Sequence, residues 1–397
     1  MAVVFMDSKQ TFIYGKYLSH LVASTLNNTV PEEPFEGIDW TQFFRLAEFH
    51  NVIALVYPAI KDFAIPDHIL TKWIYANNRM VAREARQDIE AQTILGIFAK
   101  YDIPFIKMKG IVTKHFYPAP YMRAQADIDL CVSEENRKRC DSILENLGYK
   151  LFASIENTDE YMKDNFFYYE IHSSVYDSNS DFRSLFADPF SKAVKDKNGV
   201  GYVFTDEYFF LHLITHLYKH FVFEGCGLRL FCDLYIYRKA HPNLDMDFIY
   251  NTLSDYEITE FYNSITELTE CLFGDKDFDQ KSTDIATYIF NCGDHGSDTI
   301  RRLTNITNDK EKSFSMKNKL KFRLQIYFPP AYTLKNRYRI LEKAPVLLPF
   351  CWIVRGFSTL FFKRSAIKEQ QKIIGTLNSE EILEAQRIQK LAGVKQK

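Results

Sequence analysis

Two aspartates one residue apart, Asp127 and Asp129, stand inside the apolar run 126–132, which reads as a β-strand. Strand side chains alternate between faces, so both carboxylates share one face while Ile128 and Leu130 turn to the other. Two carboxylates about 7 Å apart on one face are well placed to bridge divalent cations. Downstream, Tyr169-Glu170-Ile171-His172 repeats the alternation, with Glu170 and His172 on one side. If the two strands are neighbours, three carboxylates converge. That arrangement suits two-metal phosphoryl transfer, with one ion activating the attacking oxygen and the other neutralising a leaving pyrophosphate.

The acid-x-acid spacing is weak by itself, because 51 acidic residues in 397 give roughly six such pairs by chance. Asp245-Met246-Asp247 is one of these. Asp275-Lys-Asp277-Phe-Asp279 approaches a calcium loop, but Gln280 stands where glycine is required and Ala286 where the bidentate glutamate belongs. It reads as a solvated loop. Asp127 and Asp129 differ in context, because aspartate is disfavoured in strands and costly to bury unless something such as a metal compensates it.

The elements that would position these groups follow from pattern. Residues 1–100 read as helical. Asp39 is an N-cap with Gln42 three residues on, and 68–100 is one long charge-rich helix. Residues 101–204 alternate strands and helices: a strand at 103–108, a short helix 110–117 ended by Pro118 and Pro120, the aspartate strand, a helix 134–147 stopped by Gly148, and strands at 149–153 and 166–175. This is an α/β (α+β) core with a small mixed sheet between helical regions. Residues 205–310 return to aromatic-rich helix, and 311–397 form a basic and apolar helical extension.

Composition narrows the class. A net charge of −2 argues against a protein that coats nucleic acid. Seven scattered cysteines with no CxxC pair read as reduced core thiols, which points to the cytoplasm. The 34 Phe and 24 Tyr suggest aromatic cores. The N-terminus lacks a signal-peptide pattern. The apolar stretch 344–362 is interrupted by Pro345, Pro349, Arg355 and Gly356, so it reads as a packed or surface-lying helix rather than a membrane span.

The run Lys109-Gly110, short helix, Tyr117-Pro118-Ala119-Pro120, Arg123, Asp127-Ile128-Asp129-Leu130 resembles the bacterial uncharacterised nucleotidyltransferase family of the polymerase-β-like superfamily. The helix around Leu46–Val52, the Glu170-x-His172 strand and the helices from Leu211-His212 to Asp233 are similar as well, so the resemblance covers roughly residues 35–300. It implies Mg²⁺ (or Mn²⁺) held by Asp127, Asp129 and Glu170, with Glu170 as metal ligand or general base. It also implies that Lys109 and Arg123 neutralise the triphosphate of an NTP and that the Gly110 turn brings backbone N–H groups near phosphate. The implied reaction moves a nucleoside monophosphate to an acceptor and releases pyrophosphate. This chain departs from the superfamily's usual Gly-Ser or Gly-Gly, having Lys109-Gly110-Ile111. That variant also resembles abortive-infection nucleotidyltransferase toxins, so tRNA joins protein and small molecules among the possible acceptors.

Other readings stay open at single positions. Arg123 either faces phosphate or fixes its loop by pairing with an acid, and His172 either orients a carboxylate, contacts substrate or is simply hydrogen-bonded. Lys107 shares a strand face with Lys109 in this reading. His212, His216 and His220 form one helical stripe, read as packing or support rather than a zinc site. Arg229 and Asp233 read as an i,i+4 salt bridge, and the basic stretch 310–323 as a solvated face. Two alternatives to the enzyme remain: a non-catalytic nucleotide-binding module, and a membrane-surface or interaction protein acting through 344–362.

Overall fold

The computed structural model describes residues 6–164, 167–196, 201–294, 296, 328, 334, 344–352, 354 and 379–395. Two compact units are present, Met1–Ser297 with Ile388–Gln396, and Asp298–Arg387 with Lys397. In the second, Leu334, Leu348, Cys351 and Trp352 form a small apolar cluster. The stretch 310–323 lies outside the described residues, as does most of 353–362. Among the described residues no helix is long and apolar enough to cross a membrane.

The larger unit opens with α1 (Ser8–Asn27), α2 (Trp40–Phe49), α3 (Ile53–Ile60) and α4 (Asp67–Lys100). Asp39 caps α2 by accepting the Thr41 and Gln42 N–H groups. Asn51, at a φ of 57°, separates α2 from α3. α4 is a single helix of 34 residues, about 50 Å long. Its first half buries Ile69 and Trp73 in the helical core, and its second half buries Ala91, Ile94, Leu95 and Phe98 against the sheet.

The core elements are β1 (Ile106–Lys107), α5 (Gly110–Thr113), β2 (Asp127–Cys131), α6 (Glu134–Asn146), β3 (Lys150–Ile155), β4 (Thr158–Lys163), β5 (Phe167–His172), β6 (Ala193–Lys195) and β7 (Tyr202–Phe204). They make a seven-stranded mixed sheet in the order β3-β4-β5-β2-β1-β7-β6. β2 is parallel to β5 and antiparallel to β1. Strands β4, β6 and β7 went unforeseen; β4, Thr-Asp-Glu-Tyr-Met-Lys, carries too many polar residues to show a strand pattern. Helices α7 (Asp206–Phe223), α8 (Leu228–Ala240), α9 (Met246–Asp255), α10 (Thr259–Phe273) and α11 (Gln280–Cys292) follow, and Ile388, Ala392 and Val394 near the C-terminus join the same core. Asp279, in the calcium-like run, caps α11 through a capping box with Ser282. All seven cysteines are unpaired and buried.

The sheet has two distinct faces. Ile128, Leu130, Tyr169 and Ile171 pack under α4 and α6. The opposite face carries the acidic side chains.

Candidate active site

The parallel register of β2 and β5 sets Asp129 opposite Glu170 and Cys131 opposite His172. Oxygen and nitrogen atoms of Asp129, Glu170 and His172 therefore lie within 4.8 Å of one another. His172 Nε2 is 3.1 Å from Asp129 Oδ1 and 3.3 Å from Glu170 Oε2. Its Nδ1 is 2.9 Å from the Thr158 hydroxyl on β4, which fixes the ring. Lys109 Nζ donates to the same Asp129 oxygen at 2.5 Å. Asp127, one alternation earlier on β2, is not part of the tight trio.

Charge explains the titration of the cluster. Burial alone would raise Asp129, but the Lys109 ammonium and the His172 hydrogen bond outweigh it and hold the carboxyl far below the usual range. Asp127 lacks such a bond, so burial and the neighbouring Asp129 charge push it up to about 6. Burial opposes charge on Lys109 too, yet Asp129, Glu170 and Asp127 keep it protonated. His172 is raised because bonds to Asp129 and Glu170 exceed its burial penalty. The face thus sets Asp127, Asp129 and Glu170 close against Lys109 and His172.

A divalent cation fits this donor set. Two carboxylates and an imidazole within 4.8 Å are close enough to share one ion at metal–ligand distances of about 2.0–2.2 Å. Among the described residues, this trio alone brings three such ligands that close. Of the metal set expected from sequence, Asp127, Asp129 and Glu170, the last two fall in this trio, and the β2–β5 register adds His172 beside Asp129.

Lys109 owes its place to an unusual backbone. At φ 51° and ψ −126° it occupies a region favouring glycine, directly before the four-residue α5. Gly110 follows because no side chain fits: a Cβ there would lie 2.0 Å from Arg123 Nη1. Gly110 thus permits the close approach of Arg123 at the start of the four-residue α5.

Arg123 takes the loop-fixing alternative. Buried, it donates from Nε and Nη2 to Asp233 Oδ1 and Oδ2 at 3.1 and 2.7 Å, and the Tyr117 hydroxyl adds a third bond of 2.7 Å. Its guanidinium is bonded to Asp233 on α8. This also corrects the expected Arg229–Asp233 bridge. Arg229 Nε bonds instead to Asp294 at 2.7 Å, and its charge reaches Asp127. Arg229, in the first turn of α8, was read from sequence chiefly as a helix salt bridge; in the structure its charge acts to lower Asp127. Lys107 pairs with Leu130 in register, on the face away from Asp129, and its ammonium bonds Asp196. His212 and His216 are pushed down by burial and by the Lys109 charge, His212 to about 3. Their rings, and that of His220, pack in succession at centroid distances of 5.9 and 4.4 Å.

The sequence model of a family described as uncharacterised nucleotidyltransferases matches residues 36–274. No curated protein matches the chain. Among solved structures, the solution structure of the antibiotic-resistance factor ANT(2'')-Ia is similar over 45% of this chain and 98% of its own, at 14% identity and a TM-score of 0.33. That superposition is too loose to equate site residues. The family match spans α2 to the end of α10 and includes every strand of the carboxylate face, so the chain belongs to the uncharacterised nucleotidyltransferase family.

Proposed function

We propose that this nucleotidyltransferase moves a nucleoside monophosphate from an NTP to an acceptor in a reaction that depends on Mg²⁺ or Mn²⁺. The observation that carries this reading is the Asp129–Glu170 register, which brings two carboxylates and His172 within 4.8 Å inside a chain of this family. Asp127, Asp129 and Glu170, with His172 beside them, would hold the metal, which supplies Lewis-acid charge to the phosphate oxygens. The acceptor oxygen attacks the α-phosphorus, the bond to pyrophosphate breaks, and Glu170 takes the acceptor's proton. Lys109 and Arg229 supply the positive charge that faces the triphosphate, and Thr158 holds the His172 ring in place.

A non-catalytic nucleotide-binding module is the second reading. It is favoured by the Lys109–Asp129 bond, which places an ammonium on a carboxylate the metal would need. Incubating the protein and its Asp127→Asn/Asp129→Asn variant with Mg²⁺ and each α-³²P-labelled NTP separates the two. Label transfer and pyrophosphate release by the wild type alone establish turnover. NTP binding with no label moved to RNA, protein or small metabolites makes the module the better account.

A further inference from the structure

The exposed side of α4 carries a one-sided row of cations. Lys72, Arg79, Arg83 and Arg86 fall within about 60° of one another around the helix, and Tyr75 adjoins them. Lys72, Tyr75, Arg79 and Arg86 are exposed. The one acid of α4 between Lys72 and Arg86 is Glu84, which is turned aside to bond Lys114 at 2.7 Å. The row reaches the carboxylate site: Arg83 Nη2 lies 3.5 Å from the carbonyl oxygen of Ala126, next to Asp127, and its charge acts on Asp127. Tyr168, 36% exposed, sits in register with Asp127. The Arg86 guanidinium lies 5.6 Å from the Phe167 ring, and that of Arg79 lies 5.9 Å from Tyr75.

Length decides what this row fits. From Lys72 to Arg86 the helix rises about 21 Å, far more than one triphosphate spans and enough for several successive backbone phosphates. The exposed Tyr75 among the cations and Tyr168 at the far end add stacking surfaces for unpaired bases, which a duplex does not present. We propose that the acceptor is the 3′ end of a single-stranded nucleic acid whose backbone lies along α4, with its last nucleotide beside Tyr168 and its 3′-hydroxyl facing Asp127. This rests on the nucleotidyl-transfer reading above. The 3′-oxygen attacks the α-phosphorus, pyrophosphate leaves with the bonding pair, the proton passes to Glu170, and the strand grows by one nucleotide.

The test uses a fluorescein-labelled single-stranded RNA of mixed sequence, followed by anisotropy, with the whole protein and Lys72→Glu/Arg79→Glu. Both positions are exposed, and a thermal melt checks that the variant folds; Arg86→Gln is the second, milder variant. Wild type should bind with a log–log salt slope near 3 for four phosphate contacts, and the double variant should lose at least tenfold in affinity and about 1.4 in slope. NTP binding should be unchanged in both variants. With α-³²P NTP, label should enter RNA ending in a 3′-hydroxyl and not RNA ending in a 3′-deoxy residue. Equal RNA binding by the variants, loss of NTP binding in them instead, or binding to anionic vesicles in place of RNA would each overturn the proposal. Label moving to another acceptor while RNA goes unbound removes the surface and leaves the reaction standing. RNA bound through α4 with no label moved by any NTP does the reverse, and the acceptor role falls with the reaction.

Discussion

Replacing Asp233 by Asn tests whether Arg123 holds the site loop or faces a phosphate. In the structure the Arg123 and Asp233 side chains are only 4% and 3% exposed, and two guanidinium bonds plus the Tyr117 hydroxyl converge on one carboxylate. Asparagine keeps the shape but removes the charge and turns an N–H group toward donors. Removing one partner of a buried pair costs about 3–5 kcal/mol, because the remaining charge stays desolvated. That corresponds to a fall in melting temperature on the order of 10 °C. The double variant Arg123→Met/Asp233→Leu should cost less than either Arg123→Met or Asp233→Asn, since it removes both charges together. Gly110→Ala should weaken the same clamp, because its Cβ would fall 2.0 Å from Arg123 Nη1. Urea unfolding of the four variants, with KM and kcat for NTP on the folded fractions, provides the readout. The clamp would be refuted by an Asp233→Asn cost below about 1 kcal/mol together with an Arg123→Met variant of normal stability and raised KM.

Lys109→Gly and Lys109→Ala both remove the ammonium, but only glycine relaxes the backbone at φ 51°. The glycine variant should be more stable by about 1–2 kcal/mol in chemical denaturation, and equal midpoints would show that no strain is stored there. His50 accepts the Leu228 N–H at Nδ1 and so donates from Nε2 to Phe290 O, an arrangement that needs the neutral ring. Burial lowers it from 6.5 to about 4, so its contribution is complete above pH 6.5 and is lost as pH falls towards 4, about 3 kcal/mol in all. The stability difference between wild type and His50→Asn should shrink across that window, and a flat difference would contradict the buried neutral ring. Mn²⁺ at a hundredfold over its Kd should stabilise the wild type by about 2.7 kcal/mol, and EDTA should reverse it. Asp129→Asn should show no such shift, and retention of the shift there would move the metal away from Asp129.

Local periodicity made much of this protein legible. The two-residue repeat of Asp127-Ile128-Asp129-Leu130 separated an acidic face from a core face, and the proline-free pattern of α4 marked one long helix. Those patterns depend on residues two to four apart, which chain order supplies directly. What only the tertiary structure decided is partnership across distance. The β2–β5 register brought Glu170 and His172 to Asp129 across 41 and 43 residues, and the packing of α8 gave Asp233 to Arg123 across 110. Arg229 was thereby left to Asp294. An i,i+4 spacing in a helix permits a pair without requiring it. A buried carboxylate takes the cation that packing delivers in fork geometry, and nothing local to Arg229 and Asp233 encodes that choice.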